Sequence, residues 1–161
     1  MKVVIVGGVA GGMSAATRLR RLDESAEIII LEKGPYVSFA NCGLPYYVGG
    51  EITDRNELMV QTPEKLKARF NLDVRVNSEA LSIDSKNKSL TVKNEIETYS
   101  LDYDKLILSP GAKPFIPETE GLNEAKNVFT LRNVPDVDAI TAFIENEKPK
   151  KATVIGAGFI G

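Results

Sequence analysis

The chain has 161 residues, 43% of them hydrophobic, which is enough for one globular domain with a sizeable core. Its 20 Lys and Arg residues nearly balance 22 Asp and Glu residues, so the net charge of -2 provides no basic field for nucleic acid or an anionic membrane. One cysteine and no histidine exclude an intramolecular disulfide, a Ser-His or Cys-His nucleophile and the usual zinc spacings, so we expect no metal site. No apolar run approaches about 18 residues and no signal peptide is recognisable, which favours a cytoplasmic protein.

The first predicted elements form a β-α-β unit. Residues 3–6 are a short apolar strand, and a helical pattern follows through Leu22, with Ala15, Ala16, Leu19 and Leu22 on its buried stripe. A second apolar strand is predicted at Glu27–Leu31. Because apolar runs without alternation are typical of parallel strands covered on both faces, this unit predicts an α/β fold.

Further along the chain, the pattern changes from helical to alternating. An irregular stretch reaches about residue 54, and a helix is predicted at Pro63–Phe70, with proline in its first turn. Strands predicted at residues 72–76, 80–83, 89–92 and 97–101 form an antiparallel β-meander, and residues 105–108 return to the parallel sheet. A helix is predicted at about residues 135–145, with Asp136 and Asp138 in its first turn. The predicted fold is a Rossmann-like domain with a parallel sheet plus this meander.

A glycine motif follows the first strand. Gly7-Gly-Val-Ala-Gly-Gly12 fits G-x-G-x-x-G at its first and last glycines, but Val9 occupies the middle position and would keep a pyrophosphate farther from the turn. Glu32 lies 20 residues after Gly12, at the end of the second strand, where a carboxylate can accept hydrogen bonds from an adenosine ribose. This context predicts a dinucleotide site; the alternative is a glycine-rich turn beside an exposed glutamate.

The last ten residues repeat the same pattern. An apolar strand predicted at residues 152–155 precedes Gly156, Gly158 and Gly161, which match all three glycines of G-x-G-x-x-G. A phosphate loop needs a helix behind it, so we expect the chain to be a fragment of a longer protein. Residues 1–150 would then be the first segment of one dinucleotide-binding domain, and residues 151–161 the start of a second.

Cys42 lies in a segment rich in Gly, Pro and Asn, outside the core strands. A lone cysteine is either a small buried hydrophobe or a reactive thiol. Pro45 is compatible with the first turn of a helix that begins near Cys42, and the free N–H groups and dipole of such a helix would stabilise a thiolate without histidine.

Ser14, Arg18 and Arg21 share one face of the first helix, because they are spaced four and three residues apart. A hydroxyl and two guanidiniums in line could hold a phosphorylated substrate. The alternative is an ordinary solvated basic face that also includes Arg20.

The chain resembles the pyridine nucleotide-disulfide oxidoreductases, and among them it is most similar to the coenzyme A-disulfide reductases. The resemblance rests on both glycine motifs, on Ser38-Phe-Ala-Asn-Cys-Gly-Leu-Pro-Tyr46, and on residues 103–111 and 128–133. The resemblance covers the whole chain in the family's order. It implies a flavoprotein, typically a homodimer, in which an FAD domain is interrupted by an NAD(P)H domain and followed by a dimerisation domain. This chain would be part of such a two-dinucleotide-domain protein.

The resemblance also implies cofactor contacts. Those to FAD are Gly7, Gly8, Val9, Ala10, Gly11 and Gly12 at the pyrophosphate, Glu32 and Lys33 on the adenosine ribose side, and Ser109, Pro110 and Gly111 at a flavin-side turn. Those to NAD(P)H are Gly156, Gly158 and Gly161. The residues that decide between NADH and NADPH are expected beyond Gly161.

The implied redox group is Cys42, which would form a mixed disulfide with coenzyme A. The implied substrate contacts are Ser14, Arg18, Arg21, Ser38 and Asn41. One further basic position, near the end of the helix at Pro63–Phe70, is Phe70 in this chain, with Arg69 beside it. The second cysteine of the dithiol relatives would fall on Tyr47, so we expect Cys42 to be oxidised either by an external thiol, as a mixed disulfide, or by peroxide or oxygen, as a sulfenic acid.

In the implied reaction, NAD(P)H reduces FAD, the reduced flavin releases the thiol from the Cys42 mixed disulfide, and the thiolate attacks the next disulfide substrate. Two alternatives stay open. The same scaffold could be an NAD(P)H oxidase, a peroxidase or a polysulfide reductase in which Cys42 cycles as a sulfenate or persulfide. The isolated chain could also be a non-catalytic dinucleotide-binding module.

Overall fold

A computed structural model describes residues 1–156 and residue 158. Four parallel strands form one sheet in the order β3-β2-β1-β7, and three antiparallel strands form a second sheet in the order β4-β5-β6. The strands are β1 (Lys2–Val6), β2 (Glu27–Leu31), β3 (Asp73–Arg75), β4 (Glu79–Asp84), β5 (Ser89–Lys93), β6 (Thr98–Asp102) and β7 (Lys105–Leu108). The helices are α1 (Ala10–Leu22), α2 (Leu44–Val48), α3 (Pro63–Phe70) and α4 (Val134–Glu147). The predicted α/β fold with both kinds of sheet is confirmed.

The parallel sheet is covered on both faces, which explains its unbroken apolar strands. Alternate residues of β1 and β2 pack on one face with α1 and on the other face with the antiparallel sheet. The first cluster includes Val3, Ile5, Ile28, Ile30, Met13 and Ala16, and the second includes Val4, Ile29, Leu31, Leu90, Val92 and Leu101. Burial of each such Val, Ile or Leu side chain stabilises the fold by about 1.5–3 kcal/mol.

The predicted meander is wrong in one strand. Residues 73–75 do not join the antiparallel sheet; they pair in parallel with β2, in the register Ile29↔Asp73 to Leu31↔Arg75. The physical reason is the crossover from β2 through α3, which returns the chain in the direction of β2. The antiparallel sheet therefore has three strands rather than four.

Two other expectations fail at the ends of elements. Leu22, the last residue of α1, is 67% exposed, so the buried stripe of this helix stops at the half-buried Leu19. Residues 152–155 form no strand, and Val154 and Ile155 are 71% and 69% exposed. An apolar sequence becomes a strand only where a neighbouring strand accepts its backbone hydrogen bonds, and none of the described residues pairs with this segment.

The predicted helix near residue 135 is confirmed, and its start is fixed by a capping box. The Asn133 side chain accepts a hydrogen bond from the Asp136 N–H, and the Asp136 carboxylate accepts from the Asn133 N–H. Val134 and Val137 of α4 are buried against Leu44 and Leu58 in a third cluster. This cluster holds the segment that contains Cys42 against α4. Within the described residues, no helix is both long and apolar enough to span a bilayer.

Candidate functional site

The glycine loop, residues 7–12, is built by backbone-to-backbone contact. Gly7 has φ +101°, and a Cβ atom there would overlap the carbonyl oxygen of Ser109. A Cβ atom on Gly12 would overlap the carbonyl oxygen of Gly7. Both positions therefore require glycine, because β1, α1 and the loop after β7 approach one another too closely for a side chain.

The amino end of α1 is open to a ligand. Its N-cap residue, Val9, makes no side-chain cap hydrogen bond, and its first turn contains no acidic residue. Ala10 and Gly11 are exposed at this end. Helix N-termini favour anions because the first N–H groups lack intrahelical partners and the dipole is positive there. The glycine cradle and the uncapped helix therefore fit the pyrophosphate of a dinucleotide.

Glu32 connects the end of β2 to the glycine loop. Its carboxylate accepts hydrogen bonds from the backbone N–H of Gly8 and from that of Gly34, both at 2.8 Å. These two contacts fix the half-buried carboxylate beside the glycine loop. Lys33, the neighbouring residue, is exposed.

The loop after β7 closes the other side of the cradle. The Ser109 N–H donates to the carbonyl of Val6 at 2.8 Å, and the Ser109 Oγ atom lies 3.3 Å from the position of a Cβ atom on Gly11. Pro110 and Gly111 are exposed, and Gly111 has φ +71°. Of the predicted second motif, Gly156 and Gly158 meet no heavy atom within 4 Å of an added Cβ among the described residues. Gly161 lies outside the described residues.

Cys42 is exposed, so the alternative of a small buried hydrophobe is wrong. It lies in a 3-10 turn, Asn41–Gly43, and α2 begins two residues later with Pro45 in its first turn, as predicted. Because α2 has only five residues, the stabilisation of a thiolate by this helix stays a prediction. The Asn41 Oδ1 atom is buried and has no hydrogen-bond partner among the described residues.

The segment that contains Cys42 is a closed loop whose base contacts the glycine loop. The Ser38 N–H donates to the carbonyl of Gly8 at 2.8 Å, and the Ser38 carbonyl accepts from the Val60 N–H at 3.0 Å. Ser38 itself has φ 49°, a left-handed conformation that is uncommon for residues other than glycine. Gly8 therefore links the two regions, with its N–H bound to Glu32 and its carbonyl bound to Ser38.

Arg55 holds the segment that contains Cys42 against α4. No sequence pattern predicts this contact. The Arg55 guanidinium makes a bidentate pair with Asp138 at 2.6 and 2.7 Å and donates to the Tyr36 hydroxyl at 2.9 Å. The hydrogen bonds with Asp138, followed by that with Tyr36, raise the pKa of Arg55 further above its ordinary value. Asp138, predicted to stabilise the helix dipole, thus serves mainly as the partner of Arg55.

A groove of about 380 Å³ lies between α1 and α3. It contains three of the predicted substrate contacts, Ser14, Arg21 and Ser38, whereas Arg18 and Asn41 are not among its lining residues. The remaining lining residues are Met13, Thr17, Gln61, Leu66, Arg69 and Phe70. Of these, Met13 and Thr17 could have been found from the sequence, because they precede Arg21 at successive intervals of four residues on one helix face. Gln61 gave no such signal.

This chain is similar to known proteins over nearly its whole length. The family described as "Pyridine nucleotide-disulphide oxidoreductase" matches residues 1–161. Coenzyme A disulfide reductase from Staphylococcus haemolyticus (strain JCSC1435) is 42% identical over 165 residues, which cover 99% of this chain and 36% of that protein. The chain therefore spans 36% of the length of this curated relative.

Two solved structures are similar to this chain over most or nearly all of its length. The structure of reduced Bacillus anthracis CoADR-RHD has a TM-score of 0.96 and 61% identity, covering 99% of this chain and 29% of that chain. The structure of an NAD-dependent persulfide reductase from A. fulgidus has a TM-score of 0.86 and 37% identity, covering 91% of this chain and 27% of that chain.

Proposed function

Since this chain belongs to the pyridine nucleotide-disulphide oxidoreductase family, we propose that it is the N-terminal part of an FAD-dependent NAD(P)H:disulfide oxidoreductase that acts on coenzyme A disulfide. One observation carries the proposal. The exposed thiol of Cys42 lies on a loop whose base, at Ser38, is hydrogen-bonded to Gly8 of the glycine loop. The proposed redox thiol and the proposed dinucleotide cradle are thereby joined by a direct backbone hydrogen bond.

The cradle is proposed to hold FAD. The amides at the start of α1 would bind the pyrophosphate, and Glu32 would accept hydrogen bonds from the adenosine ribose. To do so, the free lone pairs of Glu32 must face the ribose while its contacts with Gly8 and Gly34 persist. Ser109, Pro110 and Gly111 would border the flavin side, and Lys33 would lie at the ribose edge.

The proposed chemistry begins with the thiolate of Cys42. It attacks one sulfur of coenzyme A disulfide, so that a Cys42–coenzyme A disulfide forms and one coenzyme A thiolate leaves. When bound, FAD would supply the two electrons, taken from NAD(P)H, that cleave this mixed disulfide into the Cys42 thiolate and a second coenzyme A thiolate. Solvent access at Cys42 allows a bulky disulfide to approach. Ser38 and Asn41 would border the thiol, and Ser14, Arg18 and Arg21 would bind the substrate.

The remaining parts of the proposal concern the whole protein. Residues 1–150 are assigned to the first FAD-binding segment and residues 151–161 to the start of an NAD(P)H-binding domain, with Gly156, Gly158 and Gly161 at its phosphate loop. We assign the whole protein to the cytoplasm as a homodimer. The similarity to coenzyme A disulfide reductase over 99% of this chain and 36% of that protein supports only the assignment of this chain to part of a longer protein.

A second candidate is a persulfide or polysulfide reductase, with Cys42 cycling as a persulfide. It is favoured by the 37% identity to the persulfide reductase and by the single exposed cysteine, which leaves no second thiol in this chain to resolve a disulfide. An oxidase or peroxidase that cycles Cys42 as a sulfenate would need the same exposed thiol.

The test compares the full-length FAD-loaded enzyme with its Cys42→Ser variant. Steady-state rates of NADH and NADPH oxidation would be measured with coenzyme A disulfide, polysulfide, oxygen and peroxide in turn. We expect the wild-type enzyme to prefer coenzyme A disulfide, and Cys42→Ser to lose at least about a thousandfold in rate, because a serine hydroxyl is a far weaker nucleophile than a thiolate. The FAD absorbance should be unchanged in the variant. Undiminished turnover of coenzyme A disulfide by Cys42→Ser would refute the role of this thiol.

A further inference from the structure

The segment that contains Cys42, residues 36–60, is held near its far end by Arg55. We propose that Arg55 is a positioning residue for the Cys42 thiol: by binding Asp138 of α4 and Tyr36, its guanidinium sets the location of the turn that carries the thiol. This role rests on the proposed function, in which the thiol of Cys42 is the reacting group.

The two ends of the segment are joined to each other, so neither moves alone. The Ala40 N–H donates to the carbonyl of Leu58 at 2.8 Å, and Phe39 pairs with Met59 in an antiparallel bridge. A displacement of the strand-like end at Leu58 is therefore passed on to Ala40, two residues before Cys42.

Leu58 also supports the Cys42 turn directly. It is fully buried, and its Cδ2 atom lies 3.3 Å from the position of a Cβ atom on Gly43, the residue after Cys42. Leu58 ends the 3-10 turn Arg55–Leu58, and the Asp54 side chain caps the start of this turn. One short, capped turn thus connects the guanidinium at its first residue to the side chain that supports the thiol-bearing turn at its last.

The guanidinium of Arg55 is held in one orientation. Its Nε and Nη2 atoms donate to the two carboxylate oxygens of Asp138 at 2.6 and 2.7 Å. Its Nη2 atom also donates to the Tyr36 hydroxyl, and its central carbon lies 5.2 Å from the centroid of the Tyr36 ring. A planar guanidinium bound at both oxygens fixes direction as well as distance, which a single point charge does not.

The Cys42 turn is therefore flanked by two attachments to α4. On one side, Leu44 is buried with Val134 and Val137 of α4. On the other side, Arg55 binds Asp138 of the same helix. The first attachment is apolar and non-directional, whereas the second is a directed ion pair, so the pair determines the fine position of the turn.

The exposure of the pair decides whether its loss affects stability or geometry. The side chains of Arg55 and Asp138 are 33% and 40% exposed, so water solvates both when the pair is broken. Such pairs contribute little to the stability of a fold. Misplacement of a reacting group by about 1 Å, in contrast, can lower a rate about a hundredfold. Loss of Arg55 should therefore leave the protein folded and lower its rate.

The test is a steady-state measurement on full-length FAD-loaded enzyme as wild type, Arg55→Ala, Arg55→Lys and Arg75→Ala. Arg75→Ala is the matched control, because Arg75 likewise pairs with an aspartate, Asp73, and donates to a tyrosine hydroxyl, that of Tyr99, but lies outside the Cys42 segment. We expect Arg55→Ala to lower kcat for coenzyme A disulfide at least about tenfold with KM unchanged. Arg55→Lys should recover part of the loss, and Arg75→Ala should behave as wild type.

A second electron acceptor separates positioning from folding. Ferricyanide takes electrons from reduced flavin without a thiol, so its reduction by NADH or NADPH should be equal in wild type and Arg55→Ala, as should the FAD absorbance. Equal losses of ferricyanide and disulfide reduction in Arg55→Ala would show a general disturbance of the enzyme and overturn the positioning role.

A double-mutant cycle tests whether Arg55 acts through Asp138. The variant with both Arg55→Ala and Asp138→Ala should have the kcat of Arg55→Ala alone. Multiplied losses in the double variant, or a kcat of Arg55→Ala equal to that of Arg75→Ala, would overturn the role. An enzyme that reduces polysulfide or peroxide through Cys42 but not coenzyme A disulfide, with kcat still dependent on Arg55, would support the positioning role and refute the proposed function alone.

Discussion

The two glycine motifs of this chain have similar sequences but differ in how closely other atoms pack around them. In the first, Gly7 and Gly12 lie where a single added carbon would overlap a backbone carbonyl, and the loop is enclosed by β1, α1 and the segment after β7. In the second, Gly156 and Gly158 face open space within the described part of the chain, and residues 151–156 form no strand. The first motif lacks the middle glycine, yet it is the one that forms a cradle.

The difference teaches that a glycine is required by its neighbours rather than by its motif. The carbonyl of Gly7 excludes a side chain at Gly12. The carbonyl of Ser109, about one hundred residues away in sequence, excludes a side chain at Gly7. Val9 is tolerated at the middle position because it is the N-cap residue of α1 and sits outside these two contacts.

The largest effect is expected when a methyl group is added at the first motif. Gly12→Ala in this chain should lower the free energy of unfolding by about 3 kcal/mol or more, since the backbone of β1 and α1 must separate to admit it. Gly158→Ala, the matched control in the second motif, should change it by less than about 0.5 kcal/mol. Urea unfolding of both variants measures this difference. Similar midpoints for the two would contradict the contrast.

A smaller loss of stability is expected when the carboxylate of Glu32, which is hydrogen-bonded to the first glycine motif, is replaced. Glu32→Gln should lower the free energy of unfolding by about 1–2 kcal/mol, because two charge-assisted hydrogen bonds to Gly8 and Gly34 become neutral or are lost. Glu24→Gln serves as the control, since Glu24 is exposed and its side chain makes no hydrogen bond among the described residues. If thermal unfolding shows equal losses for both variants, Glu32 does not stabilise the loop.

The smallest effect is expected at the second motif. Removing residues 150–161 should change the free energy of unfolding of this chain by less than about 0.5 kcal/mol, because residues 150–156 are exposed and form no strand. Chemical denaturation of the shortened chain beside the intact one gives the value. A loss above about 1 kcal/mol would show that this segment packs on the domain.

The fold was largely predictable because its parallel strands are apolar on both faces. The strand at Glu27–Leu31 and the helices at 10–22, 63–70 and about 135–145 follow from periodicity and helix start signals. Periodicity does not determine which neighbour a strand pairs with, and the prediction for residues 73–75 is therefore wrong about their sheet. It also cannot distinguish an apolar strand from an apolar segment without a partner, as at residues 152–155.

The candidate site was predictable only in part. Cys42, Ser14, Arg21 and the glycine loop could be inferred from residue type, spacing and family resemblance, and the structure brings Ser14, Arg21 and Ser38 to one groove. Contacts between distant segments left no local signal. The pair of Arg55 with Asp138 joins residues 83 positions apart, and Arg20 reaches Phe70 across 50 positions. Such pairs depend on the tertiary packing of loops and helices, which no window of sequence contains.

The central claim is that Cys42 carries the substrate during the reaction. It is tested most directly by intact mass spectrometry of the full-length FAD-loaded enzyme, reduced, freed of reductant and then mixed with coenzyme A disulfide. We predict one added coenzyme A per subunit, located on Cys42 by peptide mapping, removed by NADH or NADPH, and absent in Cys42→Ser. An unmodified Cys42, or an adduct that neither nicotinamide nucleotide releases, would contradict the claim.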